Sequence, residues 1–210
     1  MIRILRENPI CAILRHMPLE QTIPYAKAIY RGGIHMFEVA TNSEMAYEQI
    51  RLLRKEFGET AWIGAGTVVN RERCEKAEEA GAQFFLTPSA NCDTIKFCID
   101  RHIPILPGVM TPTDVDVCLS YGIRTMKLFP AGQLTAGYIK SLKGPFDQTE
   151  YVAVGGVSER NIKSFFEQGF IGVGIGGCLI PEEMVRNQDW ESAETHVRNL
   201  VKLSGVRNVK

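Results

Sequence analysis

Residues 61–89, AWIGAGTVVNRERCEKAEEAGAQFFLTPS, set two short apolar runs, AWIGAGT (61–67) and QFFLT (83–87), on either side of a polar stretch, CEKAEEAG (74–81), that closes on Gly81. Apolar residues stand next to one another in these runs instead of alternating with polar ones. Both faces of such strands are buried, as in a parallel sheet covered by helices. Parallel neighbours cannot be joined by a tight turn, so the polar stretch between them reads as a crossover helix, ending on glycine as helices commonly do.

The same alternation extends through the chain in both directions. Strands are predicted at CAIL (11–14), IHMFEVA (34–40), AWIGAGT (61–67), QFFLT (83–87), IPILPG (103–108), TMKLF (125–129), YVAVGG (151–156) and IGVGIG (171–176), which makes eight. The stretch PLEQTIPYAKAIYRG closes on Gly32 and SEMAYEQIRLLRKEFG on Gly58, both as helices. Thr111-Pro112-Thr113-Asp114 opens another, with a capping hydroxyl, proline at the first helical position and an acid in the first turn. Eight βα units closing on themselves give an α/β fold, a single (β/α)8 TIM barrel, and residues 1–210 are read as one domain. The rival is an open doubly wound sheet. It needs a glycine-rich fingerprint after the first strand, and CAILRHMP has none.

Lys+Arg and Asp+Glu each number 24, so no electrostatic footprint for nucleic acid or an anionic membrane is expected and the partner is a small molecule. The first ten residues, MIRILRENPI, contain no secretory h-region, and the longest apolar stretch, around Phe170 to Ile180, is short and glycine-broken. A soluble, cytoplasmic protein is expected. The six cysteines (11, 74, 92, 98, 118 and 178) form no C-x-x-C pair, and the four histidines (16, 35, 102 and 196) form no ligand cluster. Free thiols and no metal follow as expectations.

In a parallel barrel the site is built where strands run out into βα loops. The polar and glycine positions there are Arg15, Glu38 with Asn42, Thr67, Thr87-Pro88-Ser89, Lys127, Gly155-Gly156 and Gly176-Gly177. Lys127 stands inside the apolar run TMKLFP (125–130). Burial favours its neutral amine, the form that attacks a carbonyl to make an imine; the alternative is a side chain that snorkels to solvent. Glu38 ends an otherwise apolar strand, where a raised pKa would let it move protons near neutral pH. The alternative is a structural ion pair with Arg15 or Lys127. Arg15 could hold a carboxylate or phosphate in two-point contact, or lie free on the surface. Thr67 closes GAGT, where small residues either let backbone amides approach a ligand or only make a tight strand end. The two glycine pairs end the seventh and eighth strands, where many barrels bind phosphate through backbone N–H groups.

Taken together, AILR (12–15), FEVATNS (37–43), GAGTV (64–68), TPS (87–89), KLFPA (127–131), YIKSLKGPF (138–146), AVGGV (153–157) and GIGG (174–177) resemble the 2-keto-3-deoxy-6-phosphogluconate (KDPG)/4-hydroxy-2-oxoglutarate (KHG) aldolase family in order and spacing. The resemblance implies a class I aldolase without metal or cofactor, usually a homotrimer, acting on a keto-acid phosphate. It implies that Lys127 forms the imine and Glu38 is the acid/base. Arg15, Thr67, Pro88, Gly155, Gly156, Gly176 and Gly177 would bind substrate. Asn42 stands where phosphogluconate-type members commonly carry arginine, Val154 where threonine is frequent, and Cys178 where serine often follows. The E-V-x-x-N-S and A-V-G-G-V forms look closer to the 2-keto-3-deoxy-6-phosphogalactonate branch. An isomerase or epimerase that forms no imine, and a non-catalytic sugar-phosphate binder, are the other readings the barrel pattern permits.

Overall fold

The computed structural model describes residues 1–206. In chain order these form α1 (Ile2–Glu7), β1 (Ile10–Leu14), α2 (Thr22–Arg31), β2 (Met36–Ala40), α3 (Ala46–Phe57), β3 (Trp62–Gly66), α4 (Arg71–Glu79), β4 (Phe85–Leu86) and α5 (Cys92–Asp100). There follow β5 (Ile105–Leu106), β6 (Gly108–Val109), α6 (Pro112–Ser120), β7 (Thr125–Leu128), α7 (Tyr138–Lys143), β8 (Glu150–Val154), α8 (Ile162–Glu167), β9 (Gly172–Ile175), α9 (Glu182–Arg186) and α10 (Trp190–Leu203). Every strand pairing is parallel.

The strand order is β5-β4-β3-β2-β1-β9-β8-β7-β6. Its two ends, β5 and β6, are successive pieces of one run separated only by Pro107. The sheet is therefore closed through the chain itself, and the open-sheet alternative falls. The sequence reading treated 103–108 as one strand; it is split because proline has no N–H to give the ladder. The Pro107 carbonyl still accepts from the Lys127 amide (2.8 Å), and the Gly108 amide turns to the Thr87 hydroxyl (3.2 Å).

Period-two alternation sorts side chains to the two faces of the barrel wall. Phe37, Val39, Ile63, Ala65, Met126, Leu128, Tyr151, Ala153, Val173 and Ile175 point outward and pack with the helices in the larger core. Cys11, Met36, Phe84, Leu86, Leu106, Val152 and Val154 fill the interior. The helices start and stop largely on local chemistry. Gly32 caps α2 and Gly58 caps α3, and α6 carries a capping box between Thr111 and Asp114. Helix α4 begins three residues before CEKAEEAG, because the Asn70 side chain accepts from the Arg73 amide (3.0 Å) and fixes its start.

Eight βα units account for eight helices, so α1, ahead of the first strand, and one of the two helices after β9 were not expected from the sequence. Helix α1 is too short to show a period, yet it buries Ile4 and Leu5 against the interior cluster and so closes the barrel at its N-terminal end. No described helix is long and apolar enough to cross a membrane. The six cysteines carry free thiols. Truncating the plug, Leu5→Ala, should lower the free energy of unfolding by about 3 kcal/mol. Urea denaturation with an unchanged midpoint would show that α1 lies loosely on the barrel.

Candidate active site

The C-terminal strand ends surround a cavity of about 570 Å³. Its walls include Arg15 after β1, Glu38 on β2, Thr67 after β3, Pro88 after β4, Lys127 on β7, Gly155 and Gly156 after β8, and Gly176 and Gly177 after β9. These nine of the strand-end positions picked from the sequence thus meet in one place, whereas Thr87 and Ser89 are not among the residues that line the cavity. Asn42 is exposed and is not among the residues that line it. The sequence reading did not single out Phe129, Val157, Ser158, Ile13 and Gly174, which also line the cavity. Phe129 was visible only as part of KLFPA, and nothing in that motif says which way the ring turns.

Inward parity places Glu38 and Lys127 inside the barrel from opposite sides. Glu38 is in register with Ile13 of β1 and Gly64 of β3, and Lys127 with Gly108 of β6 and Val152 of β8. Glu38 is 1 % exposed and Lys127 6 %. Lys127 does not snorkel to water. Among the described residues no ion pair joins Glu38 to Lys127 or to Arg15, and the Glu38 Oε2 atom has no hydrogen-bond partner. The Lys127 Nζ lies 4.9 Å from the centre of the Phe129 ring, close enough for a cation–π contact when it is charged.

Burial sets the protonation behaviour of both groups. Desolvation raises the Glu38 pKa from its ordinary value, against the opposing pull of Lys127 and then of Arg15. Desolvation likewise lowers the Lys127 pKa; Glu38 opposes that shift and Arg15 adds to it. Each group is moved toward its neutral form, which is the amine of a nucleophile and the acid of a proton donor. Cys11, beneath them, is pushed well above the usual thiol range by burial and then by Glu38, so it stays a neutral thiol.

The loops around this pair are fixed by hydrogen bonds. Thr67 sits at φ 56°, a strained conformation for a β-branched residue, and its carbonyl accepts from Arg73 Nη1 (2.9 Å) and Thr41 Oγ1 (3.0 Å). Its hydroxyl accepts from Arg15 Nη2 at 3.4 Å, which turns the guanidinium toward the cavity. Pro88 reaches the wall because Gly108 has no side chain; a Cβ there would stand 2.4 Å from the Pro88 carbonyl carbon. Gly155 and Gly156 have φ of 88° and 78°, left-handed values that other residues rarely adopt. The Gly156, Gly177 and Cys178 amides donate to no acceptor among the described residues, while the Cys178 thiol donates to the Val157 carbonyl (3.0 Å). The small residues of GAGT prove to serve side chains: the space above Gly64 holds the Phe84 ring and that above Gly66 holds the Glu38 carboxylate. Among the described residues no group of three or more His, Cys, Asp and Glu could hold a metal ion.

The Lys127 shift makes a stability prediction with a definite sign. In the pH window between its lowered folded value and the ordinary 10.5, only the unfolded chain carries the extra proton. Raising pH through that window therefore favours the fold. The stability of the native sequence relative to Lys127→Met should rise as pH climbs toward 10.5, as read from paired urea denaturations. A difference that is flat or falls with pH would contradict the burial of the ammonium.

The sequence model of the KDPG and KHG aldolase family matches residues 1–196. The chain is 32 % identical to the KHG/KDPG aldolase of Escherichia coli (strain K12) over 201 residues, which cover 94 % of this chain and 93 % of that one. It is 30 % identical to the 2-dehydro-3-deoxy-6-phosphogalactonate aldolase of the same organism over 173 residues, covering 81 % and 84 %. Among solved structures, the KDPG aldolase from Legionella pneumophila with pyruvate captured at low pH as a covalent carbinolamine intermediate matches with a TM-score of 0.85 and 27 % identity, covering 94 % of this chain and 96 % of that one. A family match over nearly the whole chain, on a barrel whose cavity holds a buried lysine and a buried carboxylate, means that this chain belongs to the KDPG and KHG aldolase family and is an aldolase, a lyase.

Proposed function

We propose that the chain is a class I aldolase that cleaves a 2-keto-3-deoxy-6-phospho sugar acid, of the phosphogluconate or phosphogalactonate type, to pyruvate and glyceraldehyde 3-phosphate through an imine on Lys127. Cleavage of 4-hydroxy-2-oxoglutarate to pyruvate and glyoxylate follows the same chemistry on a shorter substrate. The observation that carries this reading is the buried Lys127 amine, held toward its neutral form in the same cavity as a buried carboxyl with a free oxygen.

The Lys127 nitrogen adds to the C2 carbonyl to give a carbinolamine, and loss of water leaves an iminium. Glu38 takes the proton of the C4 hydroxyl as the C3–C4 bond breaks. The bonding pair moves into the iminium, which becomes an enamine, and the aldehyde departs. Protonation at C3 returns an iminium, and water releases pyruvate and the free lysine. One carboxyl can serve the successive proton transfers by taking a proton in one step and returning it in the next, and its raised pKa makes it a stronger base than an exposed carboxylate.

Arg15 with Thr67 holds the keto-acid carboxylate, and Pro88 walls the cavity beside it. The free amides of Gly156, Gly177 and Cys178 receive the phosphate. A Cβ at Gly177 would meet no protein atom within 4 Å, so packing gives no reason for glycine there, whereas close approach of a phosphate does. The matches to phosphogluconate-type and phosphogalactonate-type relatives, 32 % and 30 % identical, support one mechanism on both sugar acids. The resemblance further implies a homotrimer acting in the cytoplasm, and sedimentation of the purified protein reads the assembly.

Borohydride added with pyruvate should fix a reduced pyruvyl group on the peptide that carries Lys127, and Lys127→Met should abolish it. Glu38→Gln should fold and lower kcat for pyruvate release by about 10²- to 10⁴-fold, the usual worth of a general acid/base. Native protein that yields no adduct would remove the imine, and an active Glu38→Gln would remove the carboxyl from the chemistry.

A further inference from the structure

We infer that Gly66 is a positioning residue, a notch in β3 that receives the Glu38 carboxylate and sets where it can exchange protons. The inference rests on the reading of Glu38 as the acid/base and deepens it. Across β2 and β3, Glu38 is level with Gly64, and it is Ala40 that is level with Gly66. The Glu38 side chain therefore does not lie flat against its own partner. It leans one inward position toward the mouth of the barrel and ends against Gly66.

The fit leaves no room for a methyl group. A Cβ on Gly66 would stand 1.5 Å from Glu38 Oε1, 2.3 Å from Cδ and 2.6 Å from Cγ. Gly66 does not have the left-handed φ that would itself call for glycine, so space is what the position requires. The neighbouring inward position on β3 offers the carboxylate no second notch. The lower notch, at Gly64, is filled by the Phe84 ring, whose nearest carbon would lie 2.3 Å from a Cβ there. The backbone of the upper notch is clamped, since the Gly66 carbonyl accepts from the amide of the buried Thr41 (2.8 Å) and shares its single hydroxyl proton (2.9 Å) with the Thr67 carbonyl. A side chain added at Gly66 must then drive the carboxylate out into the cavity, toward Lys127 and solvent. The end of a glutamate can move without unfolding the barrel, so the damage falls on geometry.

The test is a double-mutant cycle on Gly66→Ala and Glu38→Asp, followed by pyruvate release across pH. Gly66→Ala should lower kcat about 100-fold, the scale of a misplacement of about 1 Å, with little change in KM. The limb of the kcat–pH profile that belongs to the acid/base should move with it. In the Gly66→Ala background the shorter Glu38→Asp side chain should cost far less than it does alone, because it no longer meets the added methyl. Losses that multiply independently, or a Gly66→Ala enzyme with native kcat and pH profile, would overturn the inference. Should Gly66→Ala not fold, Thr41→Val loosens the clamp instead. It should shift the same limb, with rescue by Thr41→Ser, and an unmoved profile would count against the notch. Glu38→Gln separates the two levels of argument. If it is inactive while the cycle is additive, only the notch fails; if it is fully active, the role of Glu38 fails first.

Discussion

Two ionisable side chains, one basic and one acidic, are held in the interior of a closed barrel where little water reaches them, and the rest of the structure accommodates that arrangement. An isolated charge moved into such surroundings costs so much that the group changes its protonation state instead. For Lys127 and Glu38 the change runs toward a free amine and a protonated carboxyl. The same desolvation that weighs against the fold thus prepares a nucleophile and a proton donor at one site. Their mutual attraction only partly opposes it, since no direct ion pair forms between them among the described residues.

The barrel provides the dry interior in layers. Helix α1 closes the lower end with Ile4 and Leu5, and Phe84, Leu86, Leu106 and Val152 fill the middle. Above that floor the inward positions of β3, β6 and β9 include Gly66, Gly108 and Gly174, and the missing side chains leave the volume that Glu38, Pro88 and Ile13 with Val154 approach. Small residues on some strands are therefore the counterpart of large or charged residues on others. Reactivity and packing are two consequences of one pattern of inward residues.

Much of this was legible in the sequence, for stated reasons. Strands buried on both faces are apolar at consecutive positions, so all eight runs stood out, and a charge inside such a run, as at Lys127 and Glu38, is conspicuous. Strand ends collect at one rim of a barrel, which is why residues as distant in sequence as Arg15 and Gly177 could be assigned to the same cavity. What depends on register was hidden. The role of Gly66 follows from a side chain that leans one position off its own register. Helix α1 is too short for a period to emerge, and the orientation of the Phe129 ring is a matter of torsion angles that KLFPA does not encode.

The most direct measurement of this account is an NMR titration of the protein carrying isotope-labelled lysine side chains, with the Lys127 signal assigned by its loss in Lys127→Met. Lys127 should titrate below the ordinary lysine value of 10.5, and in Glu38→Gln, where the opposing carboxylate is gone, lower still. A midpoint at or above 10.5, unmoved by Glu38→Gln, would contradict the claim that burial makes this lysine reactive.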